Sequence, residues 1–502
     1  MKTLFTPTSY HKGAAWAVSA TLIWKLISFA NALLLAAFFG ATFRTDIYFY
    51  LIMLVGFGLT FLQRLNNTVL IPEAMFLQAE NPQQAQRFLT TWLYIYATIG
   101  IVLCSAGFLF PVKLWQLFSG FDASYLITQR HLLCTGFVLF ALYILAYYLQ
   151  AVIEMFKFFG AAWLGILNAL CPFIFLLCLG NKIGLVSMVY GFITSNLLQV
   201  VIFLILLKKQ LKWTFVPTWI RLEKRAQRNA AAGQGLAALE IVNSWLPIYL
   251  ISTMGAGFIS ALNYCRQLTD SPTEILTNRL INVSKIALTE QAAQENQKAF
   301  DHVFLQTNFI LIFFLTPLTV FTLYFAPEIV DLFFQRGKFT ALAAQHTVRF
   351  LQPFIVTVLL LAPSMVQNAA IAAQRKVKEN FPYAASASVI FLLAILYFVP
   401  RYGAFMYAYL SVCGLILGGY LNYLFFRKYL PFVSFGKMYL DLVKLIILNI
   451  SALLVVVIIK GCLPSLHSFF TILICGTFYM VALLLLSNKT GLWQKFLKAL
   501  HR

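Results

Sequence analysis

Residues 263–285, NYCRQLTDSPTEILTNRLINVSK, lie between apolar stretches long enough to cross a bilayer, yet carry Arg266, Asp270, Glu274, Asn278, Arg279, Asn282 and Lys285. On a helix, Arg266, Asp270, Glu274, Asn278 and Asn282 recur every fourth position and line one slowly drifting face. Charges at membrane depth are costly unless they meet water, partners or polar cargo, so this face reads as a functional lumen. A self-satisfying network, Arg266 with Asp270 and Glu274 with Asn278, is the structural alternative. Pro272 is expected to interrupt the helix. Arg64 with Asn67 and Arg279 with Asn282 form two Arg-x-x-Asn pairs. A guanidinium offers a planar fork of donors that fits phosphate, and an asparagine can bond sugar hydroxyls or amides. Lys25, with Asn31 about two turns on, can add to such a cationic site. The competing reading has Arg64 and Arg279 snorkelling to the membrane interface. Glu240 and Asn243 share a helix face and are candidates for ion coupling, or for a hydrogen bond to a neighbouring helix.

Other chemistries find little support. The eight cysteines stand singly in apolar segments, without CxxC or Cys/His ligand spacing, and read as small buried apolar residues. His302 and His346 lack partners at ligand spacing, and Glu154 is a lone carboxylate. No Walker A, HExxH or GxSxG motif is present, so no metal, cofactor or ATP hydrolysis is expected, and any active transport must use ions or membrane potential.

The elements that position these residues are membrane helices. The chain has 502 residues, 61% hydrophobic and 11% charged, against about 25% charged in a soluble domain. Apolar runs predict an all-α polytopic membrane protein of about fourteen transmembrane helices. They fall near 14–39, 46–72, 89–111, 131–153, 156–179, 183–207, 234–254, 258–286, 304–326, 341–373, 381–400, 402–426, 439–460 and 466–487, with the second, eighth and tenth irregular. The first is too long, and lacks the small-residue cleavage site, for a removable signal peptide. Lys and Arg concentrate in the even-numbered connections and at both ends, which places both termini in the cytoplasm. That bias also accounts for much of the net charge of +21, and no nucleic-acid module is present.

The longest basic connection, 208–233, interleaves Trp213, Phe215, Trp219 and Ile220 with lysines and arginines, as in a segment lying on an anionic leaflet. It reads as a surface-bound connector between lobes, or as a hinge or lipid sensor. It also divides a repeat: FGATFRTDIYF from Phe39 aligns with MGAGFISALNY from Met254, 215 residues on. The same offset pairs QRLNN with NRLIN and QAEN with AQEN, and so Arg64 with Arg279 and Asn67 with Asn282. An even number of helices separates the copies, so the repeats are parallel, as in transporters with rocking lobes. The expected domains are an N-lobe of six helices (1–207), the linker (208–233), a pseudo-symmetric C-lobe of six (234–427) and a C-terminal helix pair with a tail (428–502).

On FFGATFRTDIYF, VLIPEAMFLQAEN, ALNYCRQL and LFFQRGKFTALAAQHTVRFLQPF, the chain resembles the MurJ/MviN lipid II flippase family of the multidrug/oligosaccharidyl-lipid/polysaccharide exporter superfamily. LFFQRGKFT, similar to that family's LFERGAFT, is the most specific piece. The resemblance implies two lobes around a basic cavity that moves a polyprenyl-diphosphate-linked glycan, lipid II or similar, across the bacterial inner membrane by alternating access. By resemblance, Lys25 stands where the family has an arginine, Asn31 and Ala32 replace an Arg-Asp pair, and Gln267 takes an arginine's place, one position after Arg266. The family's arginine pair in the second helix has no clear counterpart here, and Arg64 lies about a turn or more further on. Expected partners are the lipid-linked glycan diphosphate, membrane lipids and a monovalent cation, with the chain a monomer. The alternatives are an O-antigen-type polysaccharide-unit flippase and a drug/cation antiporter of the same superfamily. An antiporter would want an acidic cavity, whereas Lys25, Arg64, Arg266 and Arg279 outnumber Glu240, Asp270 and Glu274. A membrane glycan polymerase would want long extracytoplasmic loops with acid/base residues, and these loops are short.

Overall fold

The computed structural model describes residues 10–218, 224–462 and 467–500. Trp219, Ile220 and Arg502 fall outside these residues, as do the side chains of Asn67, Pro272, Asn278, Arg279 and Asn282. Every element among the described residues is helical. In chain order they are α1 (Tyr10–Phe39), α2 (Phe43–Leu65), α3 (Ile71–Glu80), α4 (Pro82–Leu109), α5 (Pro111–Phe118), α6 (Ala123–Thr128) and α7 (Arg130–Met155). Next come α8 (Leu167–Ile183), α9 (Val186–Gln210), α10 (Lys224–Ser252), α11 (Phe258–Ala293), α12 (Gln297–Tyr324) and α13 (Ala326–Phe334). The last six are α14 (Ala341–Ala373), α15 (Val377–Tyr402), α16 (Met406–Tyr429), α17 (Phe435–Cys462), α18 (Ser468–Lys489) and α19 (Leu492–Leu500).

Helical segments cover the fourteen expected spans, the fifth beginning in a 3₁₀ stretch at Phe159–Ile166 before α8, but twelve helices among the described residues are long and apolar enough to cross a membrane. α10 and α11, at the seventh and eighth spans, fall short, with only Ala237–Ser252 of α10 standing out as a shorter apolar helix. The reason is compositional: α10 opens KRAQRNAAAGQG, and α11 holds the polar stretch from Arg266 to Lys285.

The second span is irregular, as expected. Pro72 has no N–H to give, so the helix opens into a π turn at Asn66–Leu70, where Ile71 N–H reaches back to Asn66 O. The eighth and tenth are continuous instead. α11 runs through Pro272, and α14 through Pro353 and Pro363. An internal proline removes one backbone donor, a local loss that a packed helix survives as a kink rather than an end.

The chain divides into two compact units, Met1–Ser260 and Ala261–Arg502. The first centres on Phe88, Tyr96, Tyr148, Leu149 and Phe203. The second centres on Phe300, Phe304, Phe425 and Phe435, with a smaller cluster of Phe325, Ala452, Val456 and Tyr479 under its last helices. Helix boundaries repeat at the offset read from the sequence: Phe258 opens α11 215 residues after Phe43 opens α2, and α12 and α13 begin 215 after α4 and α5. Asn81 and Asn296, separated by the same interval, both cap a helix with their side-chain oxygens.

Two expectations need correction. Trp213, expected to lie on the membrane surface with the basic connection, is instead seated in the first unit, while most of residues 211–218 around it remain exposed. Trp213 is buried, its Nε1–H donates to Thr90 Oγ1 at 2.8 Å, and Thr218 N–H donates to Thr91 Oγ1 at 2.9 Å. The indole has enough apolar area to seat in the core, and its N–H finds a hydroxyl there. Likewise, of the cysteines, Cys134, Cys265 and Cys475 are buried, but Cys178 and Cys413 are exposed. In a bilayer a surface cysteine still faces hydrocarbon, so apolar character alone did not predict burial.

Candidate substrate-binding site

Arg64 sits on the last turn of α2, whose course is fixed at both ends. Thr42 and Thr45 form a capping box at its start. At its end the π turn is anchored to α4, where buried Asn66 Oδ1 accepts from the Tyr96 hydroxyl at 2.8 Å. From there Arg64 Nη2 reaches Glu240 Oε2 of α10 at 2.5 Å. The Arg64 side chain is 37% exposed and Glu240 54%, so the protein does not enclose the pair.

α10 is held against α2 further along. Trp245 Nε1–H donates to Phe118 O at 2.9 Å, and the Tyr50 hydroxyl donates to the same carbonyl. Gly120 N–H donates to Ser252 Oγ at 2.8 Å. A Cβ on Gly120 would lie 2.1 Å from Thr253 Cγ2, so the close approach requires glycine. Glu240 and Arg64, read separately from the sequence, are thus direct partners. Asn243, three residues on, has a buried Oδ1 with no hydrogen-bond partner.

Lys25 is half-buried, with Nζ 4.8 Å from the ring centre of Trp24. Asn31 is only 6% exposed, and its Nδ2–H donates to Ala169 O at 2.8 Å, which ties α1 to α8. Around it, Gln199 Nε2–H and the Ser195 hydroxyl both donate to Asn168 Oδ1, joining α8 to α9.

In the second unit, Arg266 Nη2 donates to the Tyr407 hydroxyl of α16 at 2.9 Å. Thr269 Oγ1 donates to Asp270 Oδ1 at 3.2 Å, and Asp270 and Glu274 are exposed. Two residues before Arg266, buried Tyr264 packs on Phe334 and Phe339, with ring centres 5.1 and 5.3 Å away. These contacts bring ALNYCRQL onto LFFQRGKFT, so the two most recognisable stretches of the second unit form one structure. Arg279 and Asn282 lie on α11, and their side chains fall outside the described residues.

Sequence reasoning missed Asp46. It is fully buried, and its carboxylate accepts from Gly257 N–H at 2.5 Å, Ser260 N–H at 2.7 Å and the Ser260 hydroxyl at 2.5 Å. A carboxylate here caps the start of α11 and complements its dipole. Gly257, at φ +90°, supports the approach, since a Cβ there would lie 3.1 Å from Ala41 O. The signal was present in the aligned repeats FGATFRTDIYF and MGAGFISALNY, whose Asp46, Gly257 and Ser260 meet. Among the described residues no group of three or more His, Cys, Asp or Glu is arranged to hold a metal.

The described residues offer two guanidinium forks, Arg64 at the end of apolar α2 and Arg266 on polar α11, each chemically suited to an anionic group. The fold of the chain is that of a solved structure described as "Lipid II flippase MurJ, inward closed conformation". That likeness covers 95% of this chain and 98% of the other at TM-score 0.79, with 18% identity. An inward-facing multidrug resistance MATE family transporter of the MOP superfamily matches at TM-score 0.62 and 13% identity, over 86% of this chain and 96% of the other. A MOP superfamily transporter from Pyrococcus furiosus matches at 0.51 and 11%, over 86% and 93%. Among curated proteins none matches. The profile of the family "Lipid II flippase MurJ" matches residues 35–476, nearly the whole chain, and the chain therefore belongs to the MurJ family of lipid II flippases.

Proposed function

We propose that cations recognise the diphosphate of a lipid-linked glycan, with Arg64 and Lys25 the candidates within the first unit and Arg266 and Arg279 those within the second. The cargo crosses the membrane by alternating access. A diphosphate leaving the headgroup region carries about two negative charges and needs cations in place of its water and counterions. The observation that carries this reading is Arg64. It sits at the end of a long apolar helix, positioned by the Asn66–Tyr96 anchor, with an exposed carboxylate rather than hydrocarbon around its fork. Asp270 and Glu274 balance the cations of the second unit when no cargo is bound. Asn67 and Asn282 supply hydrogen bonds to sugar or amide groups. Asn31 supports the site indirectly, through the α1–α8 contact.

Glu240 and Asn243 form the proposed coupling point. When Glu240 is released from Arg64, its carboxylate and the unpartnered Asn243 amide oxygen on the same helix offer oxygens suited to a monovalent cation. The lobes are the segments 1–207 and 234–427, the chain works as a monomer, and both termini face the cytoplasm.

Depleting the protein and identifying the lipid-linked precursor that builds up on the cytoplasmic side tests the cargo. Accumulation of a polyprenyl-diphosphate glycan is the expected result. Unchanged precursor levels with altered export of cationic drugs would show an antiporter instead.

A further inference from the structure

We infer that Glu240 is the counter-ion that the cargo's diphosphate displaces from Arg64, and that its return to the guanidinium drives the diphosphate off. This deepens, and rests on, the reading that Arg64 meets the diphosphate.

Three described ion pairs join different helices: Arg64–Glu240, Lys460–Glu328 and Lys495–Asp441. In the latter two the carboxylate is sheltered, with Glu328 19% and Asp441 9% exposed. They brace neighbouring helices in the second unit, and Lys495 also lies 4.3 Å from the ring centre of Phe309. In the first pair the carboxylate is more exposed than the cation, 54% against 37%. An incoming anion can therefore reach the guanidinium without unpacking a core.

α2 and α10 do not depend on this bond for their packing. Trp245, Tyr50 and Ser252 already hold α10 through the 118–120 segment. The exposed ion pair adds little stability by itself, as exposed pairs generally do.

A diphosphate at the fork would place about two negative charges beside Glu240, and like charges in a partly desolvated site repel. The diphosphate has the greater charge and four non-bridging acceptor oxygens, so it wins the fork while it is present. Glu240 then turns away, still tethered by its helix. Its high local concentration lets it recapture the guanidinium as soon as the headgroup loosens. One carboxylate thus lowers affinity for the headgroup and speeds its release, which a transporter needs and a tight binder does not.

The test uses the full-length protein in detergent at fixed ionic strength, with undecaprenyl diphosphate as the probe and undecaprenol as the uncharged control. Glu240→Gln, which keeps size and hydrogen-bonding capacity, should bind the diphosphate roughly tenfold more tightly than the wild type. In proteoliposomes it should turn over more slowly, with kcat and KM falling together. Arg64→Ala should weaken binding, and adding Glu240→Gln to it should change nothing further, since the competition needs the guanidinium.

Equal diphosphate affinity in wild type and Glu240→Gln, with the wild type still preferring diphosphate to undecaprenol, overturns this inference and leaves the proposed site standing. A wild type that does not distinguish diphosphate from undecaprenol overturns both. A lowered melting temperature with unchanged affinity in Glu240→Gln would show a structural brace, again against the inference.

Discussion

Arg64 and Asp46 show how differently two charges in the same helix can be used. Arg64 lies at the end of α2 with its partner exposed, whereas Asp46 lies near the start, buried under three donors from the head of α11. Removing Arg64's fork should cost a bound diphosphate about 1.5–3 kcal/mol, a tenfold to hundredfold loss of affinity. Arg64→Ala is therefore expected to cripple flipping in proteoliposomes while inserting normally, and Arg64→Lys to recover only part, because an ammonium keeps the charge without the bidentate geometry. Wild-type flipping by an Arg64→Ala, Arg279→Ala double variant at equal expression would show that these arginines only snorkel. Asp46→Ala should instead act on stability. It leaves buried N–H and hydroxyl donors unpaired, at about 1–3 kcal/mol for each group, and should appear as a clearly lower melting temperature with impaired membrane yield. Asp46→Asn, which keeps one acceptor oxygen, should fall between.

Among the elements, the two polar helices and the basic connection depart most from simple apolar spans. α10 and α11 owe their polarity to residues that a lipid-facing helix would not tolerate, and these same helices carry Glu240 and Arg266. The stretch 211–218 is part of the first unit's packing: Trp213 sits in the core against Phe156, and Tyr94 donates its hydroxyl hydrogen to Phe215 O at 3.1 Å. Trp213→Phe should cost about 1 kcal/mol, the value of one hydrogen bond, and Trp213→Ala about 3–5 kcal/mol from the cavity left behind. Denaturation of the two variants separates the roles: no loss in Trp213→Phe would mean the Thr90 bond contributes nothing, and equal losses would mean the packing of the ring contributes nothing. At the far end, α19 is amphipathic. It lays Phe496 on Phe313 at 4.3 Å between ring centres and pairs Lys495 with Asp441, so it belongs to the second unit rather than forming a loose tail.

At the scale of the molecule, the repeat is carried by helix boundaries more than by residues. α2, α4 and α5 recur as α11, α12 and α13 at a constant interval, although few residues match between the copies. Charge asymmetry between connections predicts that both ends of the chain lie in the cytoplasm. A reporter fused after Arg502 should be active only with a cytoplasm-dependent enzyme, and activity of a reporter that works only outside the membrane would reverse the topology.

What the sequence determined by itself was the class of molecule: apolar runs of bilayer length, their order, the repeat interval and the family resemblance. These follow from local composition, because a span must satisfy its backbone within itself and so declares itself residue by residue. Tertiary structure decided which polar residues meet. Asp46 and Ser260 are separated by 214 residues, and Arg64 and Glu240 by 176. Pairing at such distances depends on how helices cross, and helical periodicity sets only the face a side chain occupies, not its neighbour. The same limit explains Asn31, which shares a helix with Lys25 yet turns its amide to the Ala169 carbonyl, and Trp213, whose basic surroundings pointed to a membrane surface while its ring lies in the core.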